Sequence, residues 1–219
     1  MTAIAIDGPA GAGKSSVARA VADRLGFRYL DTGAMYRAVA LTAAERGIDA
    51  GDAEALAALV SGLELDVGPD AIAIEGRDVT DLIRSARVTE EAALVARHPA
   101  VREALVRLQR RLAAEGHVVM EGRDIGTEVL PDAEVKIYLT ASLEERARRR
   151  CRQLGLPESD ENLVRLRTDI ERRDDSDRTR ASSPLRRAAD AVVVDTTDLD
   201  AQQVIEAIVD VAARAGVGD

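Results

Sequence analysis

Eight residues close to the N-terminus, Gly8-Pro9-Ala10-Gly11-Ala12-Gly13-Lys14-Ser15, have the types and spacing needed to hold a polyphosphate. They fit the pattern G-x-x-x-x-G-K-[ST]. Its glycines let backbone N–H groups turn inward around phosphate oxygens, its lysine neutralises the β/γ region, and its hydroxyl reaches Mg²⁺. Ser16 continues the motif into a helix whose N-terminus adds the positive end of its dipole. Lys14 and Lys136 are the chain's two lysines, and every other strongly basic side chain is arginine. A lysine inside this pattern is therefore informative, because a compact ammonium fits a phosphate loop that a planar guanidinium would not. The chemistry predicted is the binding of ATP phosphates, with Mg²⁺ at Ser15.

A phosphate loop serves switches, motors and small-molecule kinases alike. No Asn-Lys-x-Asp-like guanine motif is present, which argues against a GTPase. A small-molecule kinase must hold two polyanions and balance the charge of the migrating phosphoryl group, which takes several arginines. Two arginine-bearing segments fall at the carboxyl ends of expected strands: Asp31-Thr32-Gly33-Ala34-Met35-Tyr36-Arg37, and Glu121-Gly122-Arg123-Asp124. In an open α/β sheet these strand ends form the ligand crevice, so both segments should face the loop. The letters of the second segment also occur earlier, at Glu75-Gly76-Arg77-Asp78, with different flanks. That copy ends a hairpin strand, and Arg77 and Asp78 are read as structural. Farther on, one charged helix carries Arg146–Arg152 and a second runs through Asp175, on either side of an exposed tip at Gly155–Asp160. The stretch Arg172-Arg173-Asp174-Asp175-Ser176-Asp177-Arg178-Thr179-Arg180 spans the end of the second. A closing lid that brings cations onto phosphates and excludes water has this layout. No Ser–His or Cys–His dyad is visible. The single Cys151 forms no internal disulfide, and with His98 and His117 the only histidines there is no Cys/His zinc cage.

The elements that must position these groups are marked by periodicity. Ala3–Asp7 is an apolar strand, and Ser15–Leu25 a helix stopped by Gly26. Phe27–Asp31 is a second strand, Gly33–Arg46 a second helix, and Asp52 caps a third through Val60. Leu63–Val67 and Ala71–Glu75 alternate around Gly68-Pro69-Asp70 as a β-hairpin within a small insertion. Further helices run over Val88–Arg97 and from Pro99 to Glu115. His117–Met120, Val135–Leu139 and Ala191–Asp195 are further strands. Ser142 and Glu145 suggest a capping box, and Asp200–Ala213 a terminal amphipathic helix. This alternation predicts an α/β fold, a P-loop parallel sheet flanked by helices, with the hairpin-containing insertion and a short lid.

Composition agrees. The 219 residues suffice for one well-buried core, predicting a single kinase domain over 1–219. Aromatics make up 2%, so Ala, Val, Leu and Ile must build that core, and a nucleic-acid binder that stacks bases is disfavoured. A net charge of −9 argues the same way against nucleic acid and acidic membranes. With no apolar run of membrane-spanning length and no leader pattern, a cytoplasmic monomer is expected.

Taken together, the GPAGAGKSS loop, DTGAMYR, VREAL at Val101–Leu105, EGRDIGT and RRDDSDRTR make the chain resemble the bacterial cytidylate kinases, of the nucleoside monophosphate kinase fold. The resemblance covers essentially the whole chain and implies phosphoryl transfer from ATP to CMP or dCMP with Mg²⁺. It implies a CMP-binding insertion over about 37–98 and a lid over about 150–182. Carried over by position, Arg37 and Arg123 hold the CMP phosphate, with Thr32 and Tyr36 of the same segment among the substrate-binding residues. Arg102, Asp124 and Arg180 read the cytosine, and Arg173 with Asp177 contacts the ribose. Arg146 and Arg150 meet the ATP, and Lys14, Arg123, Asp124 and Arg173 form the catalytic group. One position departs: Ala93 stands where some members of that family have a serine near the base.

Overall fold

The computed structural model describes residues 2–68 and 70–218; Pro69 of the expected hairpin turn lies outside the described residues. Five parallel strands form the central sheet: β1 (Ala3–Asp7), β2 (Arg28–Asp31), β6 (Val118–Gly122), β7 (Val135–Thr140) and β8 (Val192–Asp195), in the spatial order β2-β6-β1-β7-β8. β1, β2 and β6 alternate their side chains between two apolar layers, whereas β7 and β8 contribute to the second layer alone. On β1, Ala3 and Ala5 face one layer while Ile4 and Ile6 face the other.

The first layer is built from α2 (Thr32–Glu45), α3 (Ala53–Gly62), α4 (Ala86–Val95) and α5 (Pro99–Ala113). The alanines of β1 and of α2 are buried in this layer, where small side chains allow a helix and a sheet to approach closely. The second layer holds α1 (Lys14–Leu25) and α8 (Ala201–Arg214). Asp200 and Gln203 at the start of α8 form a reciprocal capping box. At α6 (Leu143–Gln153) only half of the expected box exists. The Ser142 hydroxyl accepts from the Glu145 N–H at 3.2 Å, but the Glu145 carboxylate accepts instead from Arg149 and Arg152, each at 3.0 Å.

The insertion carries one strand more than the periodicity indicated. The strands β3 (Leu65–Val67), β4 (Ile72–Ile74) and β5 (Arg77–Asp78) form a separate antiparallel sheet. Two residues are too few for β5 to show alternation. The sheet is tied to α2 by Arg46–Glu75 at 2.7 Å and Arg77–Glu45 at 2.6 Å, and to α1 by an Arg19–Asp70 ion pair. Helix α7 (Asp160–Thr179) packs on α6 and runs four residues beyond its expected end at Asp175. One short element has no signature in periodicity, a single π-helical turn over Ile125–Val129 directly after β6.

Candidate active site

The loop between β1 and α1 sits at the carboxyl edge of the sheet, near its centre, because β1 is the middle strand. Gly8 passes so close to β7 that a Cβ there would lie 2.0 Å from the Leu139 carbonyl oxygen. Gly13 caps α1 at φ 92°, a left-handed conformation that other residues adopt at a cost. The Lys14 ammonium donates to the Pro9 carbonyl at 2.9 Å, closing the loop on itself. Burial, with Arg123 next in importance, lowers its pKa to about 7. Ser15 and Ser16 are exposed, as a hydroxyl that is to meet a ligand must be.

A second charged cluster faces the loop, built from the ends of β2 and β6 and from the C-terminal end of α7. At the end of β2, Asp31 caps α2 by accepting from the Ala34 N–H at 2.9 Å, and its other oxygen accepts from Arg37 at 2.8 Å. Thr32 is buried and donates to the Glu121 carbonyl at 2.7 Å, joining β2 to β6. On α7, Arg173 and Asp177 are four residues apart and share a face, and Arg180 follows as the C-cap of the helix. Asp177 accepts from Arg123 at 2.8 Å and lies 3.6 Å from Arg180. Although burial alone would raise it, the Asp177 carboxyl is held below its usual range by Arg123, Arg180 and Arg173.

Arg102 reaches this cluster from the first turn of α5. It forms a buried ion pair with Asp124, and its guanidinium lies 5.4 Å from the centre of the Tyr36 ring. Arg180 donates to the other Asp124 oxygen at 3.4 Å. An aspartate just before a helical turn ordinarily caps that turn itself. Here Asp7, at the end of β1, does so from the neighbouring strand, accepting from the N–H groups of Ile125 and Gly126 at 2.8 Å each. Asp124 is thereby left to face the two arginines. Burial raises the Asp7 pKa to about 6.

Arg173 differs from its neighbours. Among the described residues, Arg37, Arg102, Arg123 and Arg180 each have a carboxylate partner, and Arg173 has none. Burial, then Arg123, Arg37 and Arg150, lower its pKa to about 10. Lys14, Arg37, Arg123, Arg150 and Arg173 thus form a mutually repelling cationic group, open to a polyanion.

The structure brings together on this side every acceptor residue named from the sequence: Thr32, Tyr36, Arg37, Arg102, Arg123, Asp124, Arg173, Asp177 and Arg180. Arg146, expected from the sequence to meet the ATP, is held elsewhere. That guanidinium is buried against the outside of the loop, donating to the Ala10 carbonyl at 3.0 Å and to Asp174 at 2.5 Å. Among the described residues the Arg150 guanidinium donates only to Gln153, at 2.7 Å. Sequence reasoning missed Asp7, Glu121, Arg149 and Asp174. Glu121 lies buried beside Lys14 and accepts from the Tyr29 hydroxyl at 2.9 Å; burial, then Asp31, pushes its carboxyl up. An acidic residue closing an apolar strand, as in AIAID and VVME, was the available signal for Asp7 and Glu121.

A phosphate loop on a parallel sheet, facing a second cationic site across the same edge, defines a P-loop phosphotransferase with a small anionic acceptor. Residues 4–214 match the family model described as cytidylate kinase. A cytidylate kinase from Pelotomaculum thermopropionicum is 51% identical over 220 residues, covering 98% of this chain and 96% of the relative. One from Geobacillus kaustophilus is 50% identical over 215 residues, covering 95% of each. The chain belongs to the cytidylate kinase family, and is accordingly a nucleoside monophosphate kinase. A crystal structure of an uncharacterized protein from Eubacterium ventriosum shares the fold, with a TM-score of 0.55 at 12% identity over 96% of this chain and 97% of its own.

Proposed function

We propose that this protein transfers the γ-phosphoryl group of ATP to CMP and dCMP, forming CDP and dCDP by in-line displacement. The observation that carries this is Arg173, a guanidinium that has no carboxylate partner among the described residues and lies beside Lys14, Arg37 and Arg123. Such a cluster repels itself until two sets of phosphates enter. The CMP phosphate is already a competent nucleophile, so positioning and charge neutralisation suffice and no general-base dyad is required.

In this assignment Arg37 and Arg123 hold the acceptor phosphate, and Arg173 with Asp177 meets the ribose. The Asp124 carboxylate suits the cytosine amino group, which donates, and repels the uracil O4, which accepts. Arg102 and Arg180 fix that carboxylate and offer donors to the rest of the base edge. Tyr36 packs beneath Arg102. Lys14, the loop N–H groups from Gly11 through Ser16 and Arg150 face the ATP phosphates. Among the described residues no group of three carboxylate, histidine or cysteine side chains could form a metal cage. A lone exposed Ser15 hydroxyl fits Mg²⁺ held mainly by nucleotide phosphates and water, where the ion neutralises charge on the transferring group. We further assign residues 37–98 as the CMP-binding insertion and 150–182 as the lid. We also propose that the enzyme is monomeric and acts on cytoplasmic nucleotides.

The test is ADP release from Mg-ATP with CMP, dCMP, UMP, AMP, GMP and shikimate in turn. Turnover with CMP and dCMP is expected. Turnover confined to a non-pyrimidine acceptor, or slow ATP hydrolysis alone, would overturn the assignment.

A further inference from the structure

A loop whose N–H groups converge on phosphate must direct carbonyls the other way, and buried carbonyls need donors. Helix α6 supplies them. Arg146 donates to the Ala10 carbonyl at 3.0 Å, and Arg149, one turn on, donates to the Ala12 carbonyl at 3.3 Å. Each arginine is fixed in turn. Arg149 also donates to the Thr196 hydroxyl at 2.8 Å and to the Thr196 carbonyl at 2.6 Å, and that hydroxyl donates to the Thr140 carbonyl at 3.0 Å. Arg146 pairs with Asp174 of α7, whose second oxygen accepts from the Ala10 N–H at 3.1 Å. Both peptide groups of Ala10 are therefore held by one buried ion pair, Arg146 being 6% and Asp174 1% exposed. Helix α6 also lies directly on the loop: a Cβ at Gly11 would sit 3.2 Å from the Arg146 Cβ.

We propose that Arg146, Arg149 and Asp174 form an outer brace that holds the phosphate loop with its donors inward before nucleotide binds. Asp174 and Arg149 are then positioning residues for the phosphate donor, acting through the loop backbone without touching substrate. Preorganised donors bind and stabilise charge without reorganising at the moment of reaction, so loosening the brace weakens donor binding selectively. Because the brace ties the bases of α6 and α7 to the loop, any closing motion of these helices is confined to the segment between Arg149 and Arg173. The inference rests on the donor half of the proposed function and is independent of the acceptor.

The decisive measurement is equilibrium binding of ATP without acceptor, beside the KM for each substrate. In Asp174→Ala the Kd and KM for ATP should rise about ten- to hundredfold. The KM for CMP should change less than about twofold, the size of effect expected when contacts made only to the other substrate are left intact. Asp174→Asn, which keeps an oxygen for the Ala10 N–H, should lose less. Arg149→Met, which keeps the apolar stem but none of the donors, should reproduce the pattern and serves if Asp174→Ala does not fold. An unchanged ATP Kd in either folded variant overturns the brace, as does an equal rise in both KM values accompanied by a fall in Tm. If the wild type binds ATP but leaves CMP unphosphorylated, the acceptor assignment fails and the ATP-binding comparison still decides the brace.

Discussion

The tetrapeptide Glu-Gly-Arg-Asp occurs twice in this chain, at 75–78 and at 121–124, and the two copies have opposite fates. In the first, Glu75 and Gly76 make the turn between β4 and β5 with φ of 51° and 79°. All four residues are exposed. Arg77 pairs with Glu45, both partners well hydrated, and Asp78 accepts from the Thr80 N–H at 2.8 Å. In the second copy, Glu121 is buried at the end of β6 beside Lys14, Arg123 meets Asp177, and Asp124 lies between Arg102 and Arg180. The same side chains have different chemistry because an antiparallel hairpin places them against water, whereas the carboxyl end of a central parallel strand places them against other charges. Position along a sheet, and not residue identity, sets the strength of these electrostatic interactions.

The sharpest way to break this comparison is to truncate the two arginines in turn. Arg123→Ala should lower kcat/KM for CMP by about 10³-fold, the scale of removing a transition-state arginine. Its Tm should stay close to that of the wild type, since removing one cation relieves repulsion on Lys14 and Arg173. Thermal unfolding beside steady-state kinetics separates the two outcomes, and normal kinetics with a lowered Tm would make Arg123 structural. Asp124→Asn comes next. It should reduce the preference for CMP over UMP by about ten- to a hundredfold, the discrimination a paired base contact provides. Competition between the two acceptors measures that ratio.

A smaller effect is expected from pH, through Lys14. Its pKa in the free protein is about 7, below the ordinary 10.5. Bound phosphates favour the charged ammonium and raise it again, so ATP binding takes up a proton between those values. Affinity should fall as pH rises above 7, by up to about tenfold per unit. Calorimetry at pH 8 in two buffers of different ionisation enthalpy reads the uptake directly, and no buffer dependence would sink the idea. The smallest effects belong to the first copy. Arg77→Ala should change stability by less than about 1 kcal/mol, as for exposed ion pairs. With Asp78→Ala it should leave kcat/KM within experimental scatter of the wild type; a large loss in either would place the hairpin copy in the site.

Much of the architecture was legible because it is local. Apolar alternation marked the strands, Gly26 and Gly47 marked helix ends, and Asp52 caps α3 by accepting from the Ala55 N–H at 3.0 Å, as its position suggests. The strand β5 and the π turn were not legible, the first being too short to show a period. The second owes its start to Asp7, which lies 118 residues away in sequence. The site divides in the same manner. The stretch RRDDSDRTR marks Arg173, Asp177 and Arg180 as candidates, but with the helix expected to end at Asp175 their grouping was not legible; it follows from α7 continuing to Thr179. The different duties of Arg146 and Arg150 cannot be read from an arginine-rich helix, since they depend on which face of α6 meets the loop.

By itself, then, the sequence determined the phosphate loop, its strand and helix, the alternation that makes a parallel sheet, and the set of arginines available for an acceptor. These arise from bond geometry and from periodicities of two and 3.6 residues, which neighbours in the chain are enough to express. Only the tertiary structure decided which charges are paired and which are free. Among the described residues it left Arg173 without a carboxylate, turned Arg146 onto the back of the loop, and gave Asp7 the cap that releases Asp124. The physical reason is that desolvation and Coulomb attraction depend on distances between residues far apart in sequence, and folding alone sets those distances.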